Sequence, residues 1–168
     1  MITPVRTLVA WCPDWPVVAT GVPLDEPSAV LLANRVIAAS PEARVHGVVR
    51  GLRRRAAQAR CPELSVHDRD EAKEARLFEP VVAVLDDITP RVEVARPGVC
   101  ALVSQGPSRY FGGEEVVAGL VRERMVEQLR PFETVPDSFA QLIETHRISV
   151  VGVLEDIVDR VAHGFQVF

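Results

Sequence analysis

The residues able to do chemistry are unevenly spread along the chain. Residues 42–60 hold six arginines, Arg44, Arg50, Arg53, Arg54, Arg55 and Arg60, against one acid, Glu42. Guanidinium forks bind phosphate and carboxylate oxygens two at a time, so such a cluster suits an anion. It equally suits a solvated helix face, and spacing alone leaves both readings open. Residues 63–79 swing acidic, with Glu63, Asp68, Asp70, Glu71, Glu74 and Glu79. A chain of net charge −4 with one arginine-rich stretch attracts polyanions locally and repels them elsewhere. Cys12, Cys61 and Cys100 are odd in number, far apart and without CxxC spacing, which argues against a disulfide framework or a zinc site. His46, His67, His146 and His163 are as scattered, so neither metal nor cofactor is assigned. The pair Asp86-Asp87 resembles a metal site only superficially. It falls at the C-terminal end of a predicted helix, where acids sit badly with the dipole, and reads as an exposed turn.

The elements that must position these groups are legible in part. The 168 residues suffice for one domain, or one and a small appendage, and 48% hydrophobic with 25% charged residues is ordinary for a globular protein. No apolar run approaches the roughly 20 residues of a membrane span. The first ten residues read as a strand rather than a signal peptide, so the cytoplasm is the expected location. Val5–Trp11 reads as a buried strand closed by prolines. Ala29–Leu32 and Arg35–Ala39 read as a hairpin joined around Asn34. Ser40 caps a helical turn opened by Pro41, and Gly47 ends it. Leu52–Arg60 reads as a short basic helix stopped by Pro62, and Leu64–Val66 as a brief strand. Asp70–Leu85 reads as an amphipathic helix with Ala75, Phe78, Val82 and Leu85 inward and Pro80 as a possible kink. Thr89–Ala95 and Val99–Val103 read as strands joined through Pro97-Gly98. Glu115–Leu129 reads as a further helix. This order suits an α+β domain with a mainly antiparallel sheet.

Residues 34–64 resemble the fingers of a Y-family (UmuC-type) DNA polymerase. There a strand ends close to Ala-Ser-Tyr-Glu-Ala-Arg-x-x-Gly-Val and a helix ends in Cys-Pro-x-Leu. The matching stretches are Ala39-Ser40-Pro41-Glu42-Ala43-Arg44-Val45-His46-Gly47-Val48 and Cys61-Pro62-Glu63-Leu64. The resemblance implies a palm over residues 1–125 with fingers inserted at about 12–75, and a divergent helical tail over 126–168. It also implies two carboxylate motifs that hold two Mg²⁺ ions. The first resembles Ile-Asp-x-Asp-x-Phe-Phe-Ala, where this chain reads Val9-Ala10-Trp11-Cys12-Pro13-Asp14-Trp15-Pro16. The second resembles Ser-Leu-Asp-Glu-Ala-Tyr-Leu-Asp, following a Thr-Pro-x-Val-Glu segment kept here as Thr89–Glu93. Ala10, Cys12, Gly98 and Val99 thus stand at the carboxylate positions. Trp15 stands where the family rejects ribonucleotides. Arg44 keeps the triphosphate-contacting arginine, and Pro41 replaces its tyrosine partner.

Loss of these carboxylates, with Leu8–Ala19 and Arg109-Tyr110-Phe111-Gly112-Gly113-Glu114-Glu115, is similar to the ImuB-type subgroup. That likeness implies a non-catalytic adaptor in DNA repair and damage-induced mutagenesis (translesion synthesis). Its implied partners are a sliding clamp, an error-prone replicative-type polymerase and a RecA-like protein. DNA contact is expected to be weak and non-specific, through Arg50, Arg53, Arg54, Arg55 and Arg60. The palm strand that should follow, the Asn-Lys-x-x-Ala-Lys segment and the clamp-binding peptide are not recognisable in the tail, which also fits a truncated gene. In 126–168 the pattern predicts two helices, one capped at Asp137/Ser138 with Gln141 and leading into Phe139, Leu142 and Ile143, one carrying Val150, Leu154, Ile157, Val158 and Val161. The alternatives are an active Y-family nucleotidyltransferase with rearranged ligands and an interaction module without DNA binding.

Overall fold

The computed structural model describes residues 5–12, 14–129 and, for the backbone, 144–150. The expected cap at Asp137/Ser138 and the apolar stripe beyond Val150, like His163, lie outside them. The chain divides into two units, one comprising Met1–Pro13, Phe78–Leu129 and Phe139–Phe168, the other Asp14–Leu77 and Arg130–Ser138.

In the first unit, β1 (Val5–Trp11), β5 (Val92–Arg96), β6 (Val99–Val103) and β7 (Glu144–Val150) form one sheet in the order β5-β6-β1-β7. Every described pairing in it is antiparallel. The strands and the helices α4 (Glu71–Ala83) and α6 (Glu114–Leu129) follow one another as a split βαβ arrangement, β1-α4-β5-β6-α6-β7. The central strands read as continuous apolar runs because both faces are covered. Leu8, Val9 and Ala10 are buried, as are Val99, Cys100, Ala101 and Leu102. The edge strand β5 instead exposes Glu93, Val94 and Ala95. Gly98, at φ 86°, makes the tight β5–β6 turn that a side chain would strain. Helix α6 buries Val117, Val121, Met125 and Leu129, one residue per turn, and lies against β1 and β7.

Three expectations need correction here. Residues 144–150, placed in a helical tail, form β7 and pair with β1 from Val5↔Val150 to Trp11↔Glu144. The open side of β1 supplies backbone partners that a local helix pattern ignores. Helix α5 (Gln105–Phe111) was not foreseen, since Gly106 and Pro107 are poor helix formers. They sit in its first turn, where the missing proline N–H costs no helical bond. The predicted inward face of α4 holds at Phe78 and, just past the helix, at Leu85, but not at Ala75. Glu74, Phe78 and Val81 are buried, whereas Ala75 is exposed. The charged Glu74 can face inward because Arg69 grips it with both fork arms, Nε at 3.2 Å and Nη2 at 3.3 Å.

The second unit is built on β2 (Ser28–Leu32), β3 (Arg35–Ala39) and β4 (Ser65–Asp68), in the order β3-β2-β4 with β4 parallel to β2. The hairpin turns through Ala33 and Asn34, at φ 48° and 62°, the paired left-handed conformation of a two-residue loop. Helices α1 (Trp15–Val18), α2 (Pro41–Val45) and α3 (Arg54–Arg60) complete it around Ala29, Leu31, Val36, Ala39, Ala43, Val48, Ala57, Cys61 and Leu64. Helix α3 starts two residues later than predicted, because Arg53 is held in an extended β-bridge to Arg35.

Ser40 joins these pieces. Its fully buried hydroxyl accepts from the N–H of Ala43 (3.1 Å) and of Ser28 (3.0 Å) and donates to the Glu26 carbonyl (2.8 Å). Ser40→Ala leaves two buried N–H groups and one part-buried carbonyl short of a partner and is expected to cost about 2–3 kcal/mol. Urea denaturation measures this, and a loss below about 0.5 kcal/mol contradicts it. Among the described residues no helix is long and apolar enough to cross a membrane.

Candidate functional site

The sheet brings Ala10, Cys12, Gly98 and Val99 together. Ala10 stands opposite Cys100, Trp11 opposite Val99, and the Cys12 N–H donates to the Gly98 carbonyl at 2.7 Å. β1 pairs directly with β6 and not with β5, which lies one strand further out. Directly opposed residues share a face, so Ala10, Cys12 and Cys100 look one way. Val99 looks the other way and packs with Val9, Ala101 and Trp11. Sequence spacing did not single out Cys100. Its signal is the strand alternation two residues after Gly98, which becomes informative only with the register known.

This face is dry and neutral. Ala10, Cys12 and Cys100 are each at most 1% exposed. Burial pushes the Cys12 thiol far up, with the neighbouring Cys100 adding to the effect, and burial pushes Cys100 up to about 12. Both therefore stay protonated near neutral pH, and a protonated thiol is not a nucleophile. Among the described residues no three His, Cys, Asp or Glu side chains converge to hold a metal ion. Asp86 and Asp87 are exposed in the turn after α4.

In the second unit Trp15 is a packing residue. It is 1% exposed, and its indole N–H donates to the Glu74 carbonyl at 3.0 Å. Together with Lys73 Nζ, which donates to the Thr20 carbonyl at 3.0 Å, it fastens α1 to the first half of α4. The ring is thus enclosed by protein rather than presented to a nucleotide.

Arg44 is engaged internally. Its Nη1 donates to Asp14 Oδ2 and to the Ala39 carbonyl. Asp14 occupies a left-handed backbone conformation, which aspartate tolerates better than most residues. Burial holds its carboxyl above the ordinary value of 3.8, outweighing the opposing pull of Arg44. The folded chain thus binds this proton more tightly than the unfolded one. Stability from this group is lost as pH rises from 3.8 through the folded pKa. Asp14→Asn is expected to flatten that dependence, and thermal melts at stepped pH check it. A gap between wild type and variant that stays constant with pH counts against it.

The other arginines face solvent. Arg50, Arg53, Arg54, Arg55 and Arg60 are all exposed, and Arg60 Nη1 donates to the Gly47 carbonyl at 2.6 Å. The acid within this stretch, Glu42, is turned to His46 Nε2 at 3.3 Å.

Comparison with known proteins supplies the family. The model of the impB/mucB/samB family matches residues 17–133, well over half of the sequence. The chain belongs to the impB/mucB/samB family. It is 34% identical over 94 residues to "DNA polymerase IV 2" of Mesorhizobium japonicum, covering 56% of this chain and 23% of that protein. Solved structures of similar fold include a Y-family DNA polymerase chimera of Dbh and Dpo4 (TM-score 0.65, 14% identity, 92% of this chain and 46% of that one). A post-insertion binary complex of Dbh DNA polymerase superposes at TM-score 0.66 with 15% identity, over 95% of this chain and 45% of that one. This family member is therefore a Y-family DNA polymerase-like α+β domain. It spans under half the length of those polymerases and about a quarter of the curated relative.

Proposed function

We propose that the chain is a non-catalytic, ImuB-type relative of the Y-family polymerases, acting in DNA-damage tolerance as an adaptor and not as a nucleotidyltransferase. In this reading the unit built on β1, β5, β6 and β7 is the palm, and Asp14–Leu77 is the inserted fingers. The carrying observation is the face shared by Ala10, Cys12 and Cys100 beside Gly98, where the β1–β6 framework persists without an oxygen ligand. Two-metal transfer needs Mg²⁺ to activate the attacking oxygen and neutralise the triphosphate. Mg²⁺ takes hard oxygen donors in near-octahedral geometry. A methyl group, two protonated thiols and a glycine do not fit it, so no step is routed through a metal here.

The engagement of Arg44 by Asp14 points the same way, since an internal carboxylate uses a guanidinium that a triphosphate would need. By resemblance, the partners are an error-prone replicative-type polymerase and a RecA-like protein, while the clamp-binding peptide of the subgroup is not recognisable in this sequence. Primer extension on an undamaged and a lesion-bearing template tests the proposal, and templated product made by this chain would establish the catalytic alternative.

A further inference from the structure

We propose that Arg35 belongs with Arg50, Arg53, Arg54, Arg55 and Arg60 in one surface that contacts the phosphate backbone of duplex DNA. The β-bridge between Arg35 and Arg53 carries the inference. It is flanked by Val36 N–H to the Leu52 carbonyl (2.9 Å) and Arg54 N–H to the Asn34 carbonyl (3.2 Å). These bonds make it the narrow, non-hydrogen-bonded kind of antiparallel pair, in which the two side chains stand closest. Like charges placed directly opposite destabilise a sheet. Here both members are arginines and both are exposed. No described acid forms an ion pair with either, or with Arg50, Arg54, Arg55 or Arg60. Arg35 Nη1 donates to the Gly51 carbonyl at 2.9 Å, which orients the guanidinium without neutralising it. An external polyanion relieves a repulsion that the fold leaves standing.

The chemistry of the surface chooses among polyanions. Every cation in it is arginine, whose fork matches phosphate oxygens. Residues 28–68 contain no Phe, Trp or Tyr, so the surface offers no aromatic platform for unstacked bases. That disfavours a single strand read through its bases and favours a duplex, which carries the denser phosphate charge. Contacts of this kind set position and affinity without reading sequence. The inference stands apart from the palm reading, since an active polymerase could carry the same surface.

Fluorescence anisotropy of the full chain with a labelled duplex, across about 50 to 200 mM salt, tests it. Six phosphate contacts give a log–log slope of about −5 and a roughly thousand-fold loss of affinity over that range. Arg54→Gln with Arg55→Gln, two exposed side chains that make no hydrogen bond or ion pair to the described fold, is expected to shallow the slope by about 1.8. Arg35→Gln is expected to shallow it by about 0.9, and Arg109→Gln, outside the surface, by nothing. Arg35→Lys keeps the charge and most of the slope, which separates lost contact from lost folding. Absence of binding at the lowest salt overturns the proposal, as does an unchanged slope in the double variant. An unchanged slope in Arg35→Gln removes Arg35 from the surface. Equal affinity for a labelled poly-glutamate at the same salt makes it a docking face for acidic protein instead.

Discussion

Given primed template, all four deoxynucleotides and either Mg²⁺ or Mn²⁺, the chain is expected to add no nucleotide. Each missing metal removes several kcal/mol of charge stabilisation from the transition state. Every 1.4 kcal/mol, roughly, is a factor of ten in rate. Losing both ions therefore lowers the rate by about four orders of magnitude or more, to the uncatalysed background. Mn²⁺ does not rescue it, because the defect lies in the donor set and Mn²⁺ also prefers oxygen ligands. The assay is gel-resolved extension against an enzyme-free blank. Product that co-elutes with the chain through a second purification, and disappears when the chain is denatured, would overturn the expectation.

Ala10→Asp, the change that formally restores the first carboxylate, is expected to destabilise the fold by about 3–5 kcal/mol without restoring transfer. Ala10 is fully buried between strands, opposite the buried Cys100. Among the described residues no three His, Cys, Asp or Glu side chains converge to hold a metal ion that would compensate the introduced charge. Burial raises the pKa of the introduced carboxyl, so the folded variant binds a proton more tightly than its unfolded chain. The deficit therefore grows as pH rises from the unfolded aspartate value, near 3.9, through the raised folded value, and shrinks in acid. Guanidinium denaturation at two pH values measures both magnitude and sign. A variant as stable as wild type, and further stabilised by added Mg²⁺, would show that this face is open and can be rebuilt into a metal site. The adaptor reading would then lose its main support.

The local stops were readable from the letters alone. Ser40 before Pro41 writes a helix cap, Pro97-Gly98 writes a turn, and Asn34 between two apolar runs writes a hairpin. In each case the deciding interaction spans only a few residues, and Ser40 accepting from Ala43 is the type example. The placing of Ala10 and Cys12 at carboxylate positions rests on the resemblance of adjacent letters and belongs to the proposed function. Four things were not readable from the letters. Whether 144–150 became strand or helix depended on the open side of β1, more than 130 residues away in sequence. The inward turn of Glu74 on α4 depended on Arg69, which lets it be buried as half of an ion pair, an outcome that hydrophobic periodicity scores as an error. Cys100 joined the site only through the β1–β6 register. Arg35 met Arg53 only through a β-bridge between a strand and the start of a helix. Local sequence determined the turns and the caps. Tertiary structure decided which distant residues share a face, because pairing partners and burial come from chain segments that no local window contains.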